Sequence, residues 1–223
     1  MTIHFIKEIE RLKTRILSLS AYVEESVIMA VKSLNNRDAD LAREVLHRDR
    51  KIDEAEVDLE EECLKILALH QPVAQDLRFI IAVLKINNDL ERIGDLAVNI
   101  AYRAEKFSQR QHYEVPQDLL VMAEKTKSML TDGLDALVNL DVETAENVCD
   151  QDDEVDELHQ KMYLLVKEKI KDNPEAFSNL FKITEISHQL ERIADLATNI
   201  AEDVIYMVNG RIVRHASRLE DEE

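Results

Sequence analysis

Tryptophan is absent from this chain of 223 residues, and glycine and proline occur only three times each. Aromatic residues make up 4% against 33% charged residues, a balance that points away from β-sheets and towards long helices. The longest apolar run, Phe79 to Leu84, has six residues, so no segment spans a bilayer, and no signal-peptide pattern opens the chain. Two cysteines, Cys63 and Cys149, cannot make a disulfide framework, and a reducing cytoplasm is their simplest home. Cations are outnumbered: 28 Lys and Arg stand against 46 Asp and Glu, for a net charge of −18. That argues against non-specific nucleic-acid binding and against attraction to anionic lipid, both of which need a cationic face. It suits cations or basic protein surfaces as partners.

What the chain does have is a repeat. LERIGDLAVNIA begins at Leu90, and LERIADLATNIA begins at Leu190, identical at ten of twelve positions. Polar residues recur with the apolar ones: Glu91, Arg92, Asp95 and Asn99 return as Glu191, Arg192, Asp195 and Asn199. Packing alone does not ask for that. Upstream, Asp38, Ala42, Val45, Asp49 and Asp53 return 103 residues later as Asp141, Ala145, Val148, Asp152 and Asp156.

The spacing predicts six helices. The first runs from Ile3 to about Leu34, and Asp38 caps a second that reaches about Leu69. His70-Gln71-Pro72 breaks the chain before a third helix, from about Val73 to Gln109. Pro116 opens a fourth, ending near Asn139, and Asp141 caps a fifth that continues to about Lys171. Asn173-Pro174-Glu175 reads as N-cap, first-turn proline and an acid on the helix dipole, starting the sixth. The expected organisation is all-α: two tandem three-helix bundles related by internal duplication, over residues 1–112 and 113–214, with a charged tail at 215–223.

In the third and sixth helices the apolar residues form strict seams, Ile86, Leu90, Ile93, Ala97, Ile100 and Ile186, Leu190, Ile193, Ala197, Ile200. At about 100° per residue, Glu91 and Asp95 fall roughly opposite this seam, on an outward face shared with Asn88 and Asn99. Helix two carries its own acidic line, Asp49, Asp53, Glu56 and Glu60, and helix five carries Asp152 and Asp156, continuing into His159. Counting from the turn at Gln71, Asp53 and Glu91 stand 18 and 20 residues away, and Asp49 and Asp95 stand 22 and 24 away. From Asn173, Asp156 and Glu191 stand at 17 and 18, and Asp152 and Asp195 at 21 and 22. Each half thus sets two carboxylates from each of two neighbouring helices at matching heights. Four like charges that close repel unless something cationic sits among them. Oxygen ligands suit hard cations such as magnesium, manganese, calcium or ferric iron. The copies differ at one level: Glu56 and Asn88 in the first half correspond to His159 and His188 in the second, and imidazole suits iron or zinc.

The duplicated E-R-I-x-D-L-A-x-N-I-A, paired with D-x-x-x-D on the preceding helix, resembles the PhoU family, over nearly the whole chain. The resemblance implies a cytoplasmic, often dimeric regulator of phosphate uptake, not an enzyme. It implies action at the membrane on the ATPase subunit of the phosphate ABC transporter and on the phosphate-sensing histidine kinase. It further implies that E/D-x-x-x-D motifs can hold multinuclear metal clusters, iron among them. Carried onto this chain, the ligands are Glu91, Asp95, Glu191 and Asp195, joined by Asp49, Asp53, Asp152 and Asp156, with His159 and His188 as further ligands in the second half.

Two other readings stand beside this one. A metal-free helical adaptor would use its acidic faces to dock basic surfaces. A di-iron enzyme would use the E-x-x-H pairs Glu44/His47 and Glu185/His188, which elsewhere project into a four-helix core. Cys63 falls on an apolar stripe and reads as inert core, and Gly94 against Ala194 reads as a close helix contact. His4, His47, His70, His112 and His215 lie near ends, turns or the far face and receive no role.

Overall fold

The computed structural model describes residues 3–108 and 115–210. The end of the third helix at Gln109, the junction at 112/113, His112, His215 and the tail at 215–223 lie outside the described residues. Among the described residues seven α-helices follow one another: α1 (Ile3–Asn36), α2 (Ala39–His70), α3 (Ala74–Ser108), α4 (Gln117–Asn139), α5 (Val142–Asp150), α6 (Asp152–Asp172) and α7 (Phe177–Asn209). Helices α1, α2 and α3 pack on one another, as do α4, the α5–α6 pair and α7. The duplicated three-helix bundles join chiefly through α3 against α7, with α1 against α4 beside them. Among the described residues no helix is long and apolar enough to cross a membrane.

The duplication extends to the turns. Arg37 and Leu140 take left-handed backbone (φ 53 and 52), and the next amide donates back to close the helix, Asp38 to Ser33 and Asp141 to Ala136, each at 3.0 Å. Each aspartate then caps the following helix. Asp38 Oδ1 accepts from the Asp40 and Leu41 amides at 3.0 Å, and Asp141 Oδ1 accepts from Glu143 and Thr144 at 3.0 and 3.3 Å.

Two helix boundaries differ from expectation. The fifth helix is not continuous to Lys171: it breaks at Gln151, which separates α5 from α6. Asp152, Asp153 and Glu154 fill the first turn of α6, where three carboxylates favour a helix start through the dipole. Asn173 does not cap the sixth helix with its side chain. A 3₁₀ turn at Pro174–Ala176 intervenes, and α7 begins at Phe177.

The predicted seams are buried, with Ile86, Leu90, Ile93, Ile100, Ile186, Leu190, Ile193 and Ile200 fully out of water. Cys63 lies with them, its thiol pushed up to about 12 by burial and by the charges of Glu62 and Glu60, so the inert reading stands. Helix α3 also buries a second face, against α7. There Lys85 Nζ donates to Asp203 Oδ1 at 3.0 Å, and Arg103 Nη2 donates to Glu185 Oε1 at 2.7 Å. Ala82, Asp89 and Leu96 fall on the same side of α3 as these cations by helical spacing, and all three are buried.

Candidate metal centres

Both acidic faces are grooves between two helices rather than open outer surfaces. Asp53 and Asp95 are exposed in the first copy, as are Asp156 and Asp195 in the second, but Asp49, Glu91, Asp152 and Glu191 are half-buried. Asp95 keeps the outward exposure its spacing predicts, while Glu91 is partly covered. Helix α2, and α5–α6 in the second copy, lies close enough that its own acids wall the same groove.

The electrostatics follow from that placement. Burial raises the Asp49 carboxyl above its ordinary range, and repulsion from Asp53 and Asp95 adds to it. Glu91 is raised by burial and then by Asp95, Glu56 and Asp53. In the second copy Asp152 is raised by burial, then by Asp156 and Asp153. Asp195, exposed as a residue but with its carboxyl partly shielded from water by the facing helix, is pushed up to about 6 by that desolvation, with Glu191, Asp152 and Asp156 adding to it. Each carboxylate thus feels the members of its own set that the spacing brought level with it.

Buried polar atoms mark the same positions. Asp49 Oδ1 and Asp152 Oδ1, which correspond across the duplication, are buried without a hydrogen-bond partner. A buried carboxylate oxygen without a donor is costly unless a cation completes it. The donor set therefore fits hard cations.

At the next level the copies diverge. Asn87 Nδ2 donates to the Glu56 carbonyl at 3.0 Å and to Glu56 Oε1 at 3.2 Å. At the matching positions His159 Nδ1 and Ser187 Oγ share a hydrogen bond of 2.8 Å. The His159 and His188 rings stand 5.9 Å apart, and His188 Nδ1 lies 3.2 Å from Glu191 Oε2. Ser187 thereby orients His159 and leaves its Nε2 free of that bond.

The E-x-x-H pairs lead elsewhere. Glu44 pairs with Arg48 at 3.1 Å, Glu185 accepts from Arg103, and both histidines, His47 and His188, are exposed. Neither pair projects into the apolar core.

Comparison with known proteins agrees with the duplication. The PhoU domain matches twice, over residues 16–104 and 119–204. The chain belongs to the PhoU family. It is similar to the phosphate-specific transport system accessory protein PhoU homolog of Clostridium acetobutylicum, 31% identical over 94% of this chain and 96% of that one. The crystal structure of PhoU from Pseudomonas aeruginosa superposes with a TM-score of 0.88 at 36% identity, covering 93% of this chain and all of that one. The phosphate transport system regulatory protein PhoU from Streptococcus pneumoniae does so with a TM-score of 0.83 at 29% identity, covering 94% and 99%. The Clostridium acetobutylicum relative is named as an accessory protein and the Streptococcus pneumoniae one as a regulatory protein.

One group was missed by sequence reasoning. Among the described residues, only His4, Glu8 and His70 bring three potential ligand atoms all within 4.8 Å of one another; the like-charged carboxylates of the PhoU motifs stand further apart. Level counting from the first turn would have found it, since His4 and His70 each lie 33 residues from Arg37.

Proposed function

We propose that this chain regulates phosphate uptake and phosphate-starvation signalling, acting on the ATPase subunit of the phosphate ABC transporter and on the phosphate-sensing histidine kinase. Its two halves, residues 1–112 and 113–214, each carry one acidic metal face. The regulatory part draws on the accessory and regulatory names of its relatives. The resemblance of the duplicated motif supplies the remainder: a cytoplasmic homodimer, reaching the membrane through its protein partners rather than by catalysis. The observation that carries the metal reading is the pair of corresponding buried oxygens, Asp49 Oδ1 and Asp152 Oδ1, each lying where acids of two helices converge.

Asp49, Asp53, Glu91 and Asp95 would hold the first set of ions, and Asp152, Asp156, Glu191 and Asp195 the second, with His159 and His188 beside the second. The ions supply positive charge that lets these carboxylates ionise together. Oxygen donors alone admit magnesium, calcium, manganese or ferric iron, and the histidines turn the second face towards iron or zinc.

Elemental analysis of protein purified without chelator tests the metal reading. Replacing Glu91 and Asp95 with Ala is expected to halve the metal content while helicity stays intact. Unchanged content would remove the first site, and a chain free of metal would favour the adaptor that docks basic surfaces through these faces. Deleting the protein is expected to switch on phosphate-starvation genes in phosphate-rich medium, and normal repression in the deletion strain would overturn the regulatory reading.

A further inference from the structure

A third constellation lies far along α2 from the first acidic face, at the end of the first bundle where α1 begins and α2 finishes. Along α2, His70 stands 17 residues beyond Asp53, about 25 Å at helical rise. Helix α1 presents His4 and Glu8 one turn apart on one side, and antiparallel α2 delivers His70 from its last residue. The Glu8 side chain is 3% exposed although it is a carboxylate. Its Oε2 meets His70 Nε2 in a short contact, and its Oε1 lies 3.4 Å from His4 Nδ1. Zinc bound tetrahedrally at about 2.1 Å from nitrogen and oxygen requires donors about 3.4 Å apart.

We propose that His4, Glu8 and His70 bind one zinc ion and so clip the first turn of α1 to the last turn of α2. Two imidazoles and one carboxylate make a three-ligand zinc set, and the open side of His4, which is 73% exposed, leaves the fourth position to water. The Phe5 ring, its centroid 5.2 Å from that of His70, packs against the imidazole and holds its orientation. Lys65 Nζ lies 3.7 Å from Glu8 Oε1 and would compete with the ion. Its side chain is half-exposed, however, and Glu62 Oε1 already stands 3.4 Å from the same ammonium, ready to take it. A cation beside Glu8 therefore displaces a flexible lysine and takes the place of the Glu8–His70 hydrogen bond, whose two atoms must move apart to the spacing of zinc ligands. No acid of the PhoU motifs takes part, so this inference is independent of the proposed function.

Cobalt(II) titrated into chelator-treated full-length protein reads the geometry directly. A tetrahedral ion with imidazole ligands absorbs visible light far more strongly than an octahedral ion among oxygens. The expected result is a strong visible band whose final amplitude corresponds to one tetrahedral ion per chain and which excess zinc displaces. Affinity from chelator competition should fall at least tenfold in His4→Ala and in His70→Gln. The band should persist in Glu91→Ala/Asp95→Ala and in His159→Ala/His188→Ala. His4→Ala trims an exposed side chain, so its effect cannot be charged to misfolding, and circular dichroism checks His70→Gln. Overturning results are absence of a tetrahedral band, survival of the band in both substituted proteins, or its loss only in His159→Ala/His188→Ala.

Discussion

Gly94 offers a test of how packing sets the width of the first acidic groove. A Cβ added there would meet Ile52 Cδ1 at 3.1 Å and Ile52 Cγ2 at 3.2 Å, closer than carbon atoms rest in contact. Ile52 adjoins Asp53 and Gly94 adjoins Asp95, so this contact fixes the separation of α2 and α3 at the level of the acids. In the second copy the corresponding residues are Val155 and Ala194, both buried. One carbon has moved from one helix to the other.

The magnitude of Gly94→Ala is a contest of two effects. Alanine gains about 1 kcal/mol of helix propensity over glycine, and overpacking a filled contact costs about 1–3 kcal/mol. The net expectation is a loss of about 1 kcal/mol. Ile52→Val alone should cost about 1 kcal/mol through a lost methyl group. Together they recreate the pairing of the second copy, so the double variant should lie within about 0.5 kcal/mol of the parent, a coupling of about 1.5 kcal/mol. Urea denaturation at 25 °C measures all four corners. First-face metal affinity should fall in Gly94→Ala and return in the double variant. A coupling near zero, or a stabilising Gly94→Ala, would refute the claim that this contact limits the groove.

Metal-free protein should melt at a higher temperature at pH 5 than at pH 7.5. Asp195 is held near pH 6 when folded, so between the ordinary aspartate range and about 6 the native state binds more protons than the unfolded chain, and stability falls as pH rises; saturating metal should reverse the order. Lys85→Met removes a cation from beside Asp203, which is 1% exposed; because the Lys85 side chain is 38% exposed, the cost should be about 2 kcal/mol, below the usual range for a fully buried pair, and Asp203→Leu in the same chain should recover at least half of it by the same denaturation assay. Leu140→Gly relieves a left-handed backbone position and should stabilise by about 0.5–1 kcal/mol, read as a raised melting temperature. His159→Ala/His188→Ala should remove the preference of the second face for transition metals, measured by competitive titration of zinc against magnesium at pH 7.5.

Residue letters disclose some of this structure well and some poorly, for physical reasons. The caps at Asp38 and Asp141 were legible because an aspartate before an apolar period is a local signal, complete within four residues. The break at Gln151 was not, because glutamine is a good helix former; the trace it left was the run Asp152-Asp153-Glu154, which suits a helix N-terminus better than an interior. The α3–α7 face was not legible because Lys85, Asp89 and Arg103 are charged residues of a kind that usually stays in water, and only the second bundle shields them. Level counting brought the motif acids to one height, but it could not show that the neighbouring helix half-buries four of them. His4 and His70 stand level across α1 and α2 as well, but a single histidine near each helix end carries no local signal of a shared site.

The two ion pairs between α3 and α7 say how a duplicated chain keeps its halves in register while letting them diverge. Position 85 corresponds to 185, and 103 to 203, so Lys85–Asp203 and Arg103–Glu185 are one contact written twice around an approximate two-fold axis. Two identical copies with cations at both positions would set Lys85 against Arg103, and like charges that close repel. Here α3 supplies both cations and α7 both anions. Helix α3 is thereby complementary to α7 and repels a second α3, a bias that selects pairing between unlike halves. Once the halves need not be interchangeable, each groove is free to change its own contents. The exchange of Gly94/Ile52 for Ala194/Val155, and of Glu56/Asn88 for His159/His188, is divergence of that kind.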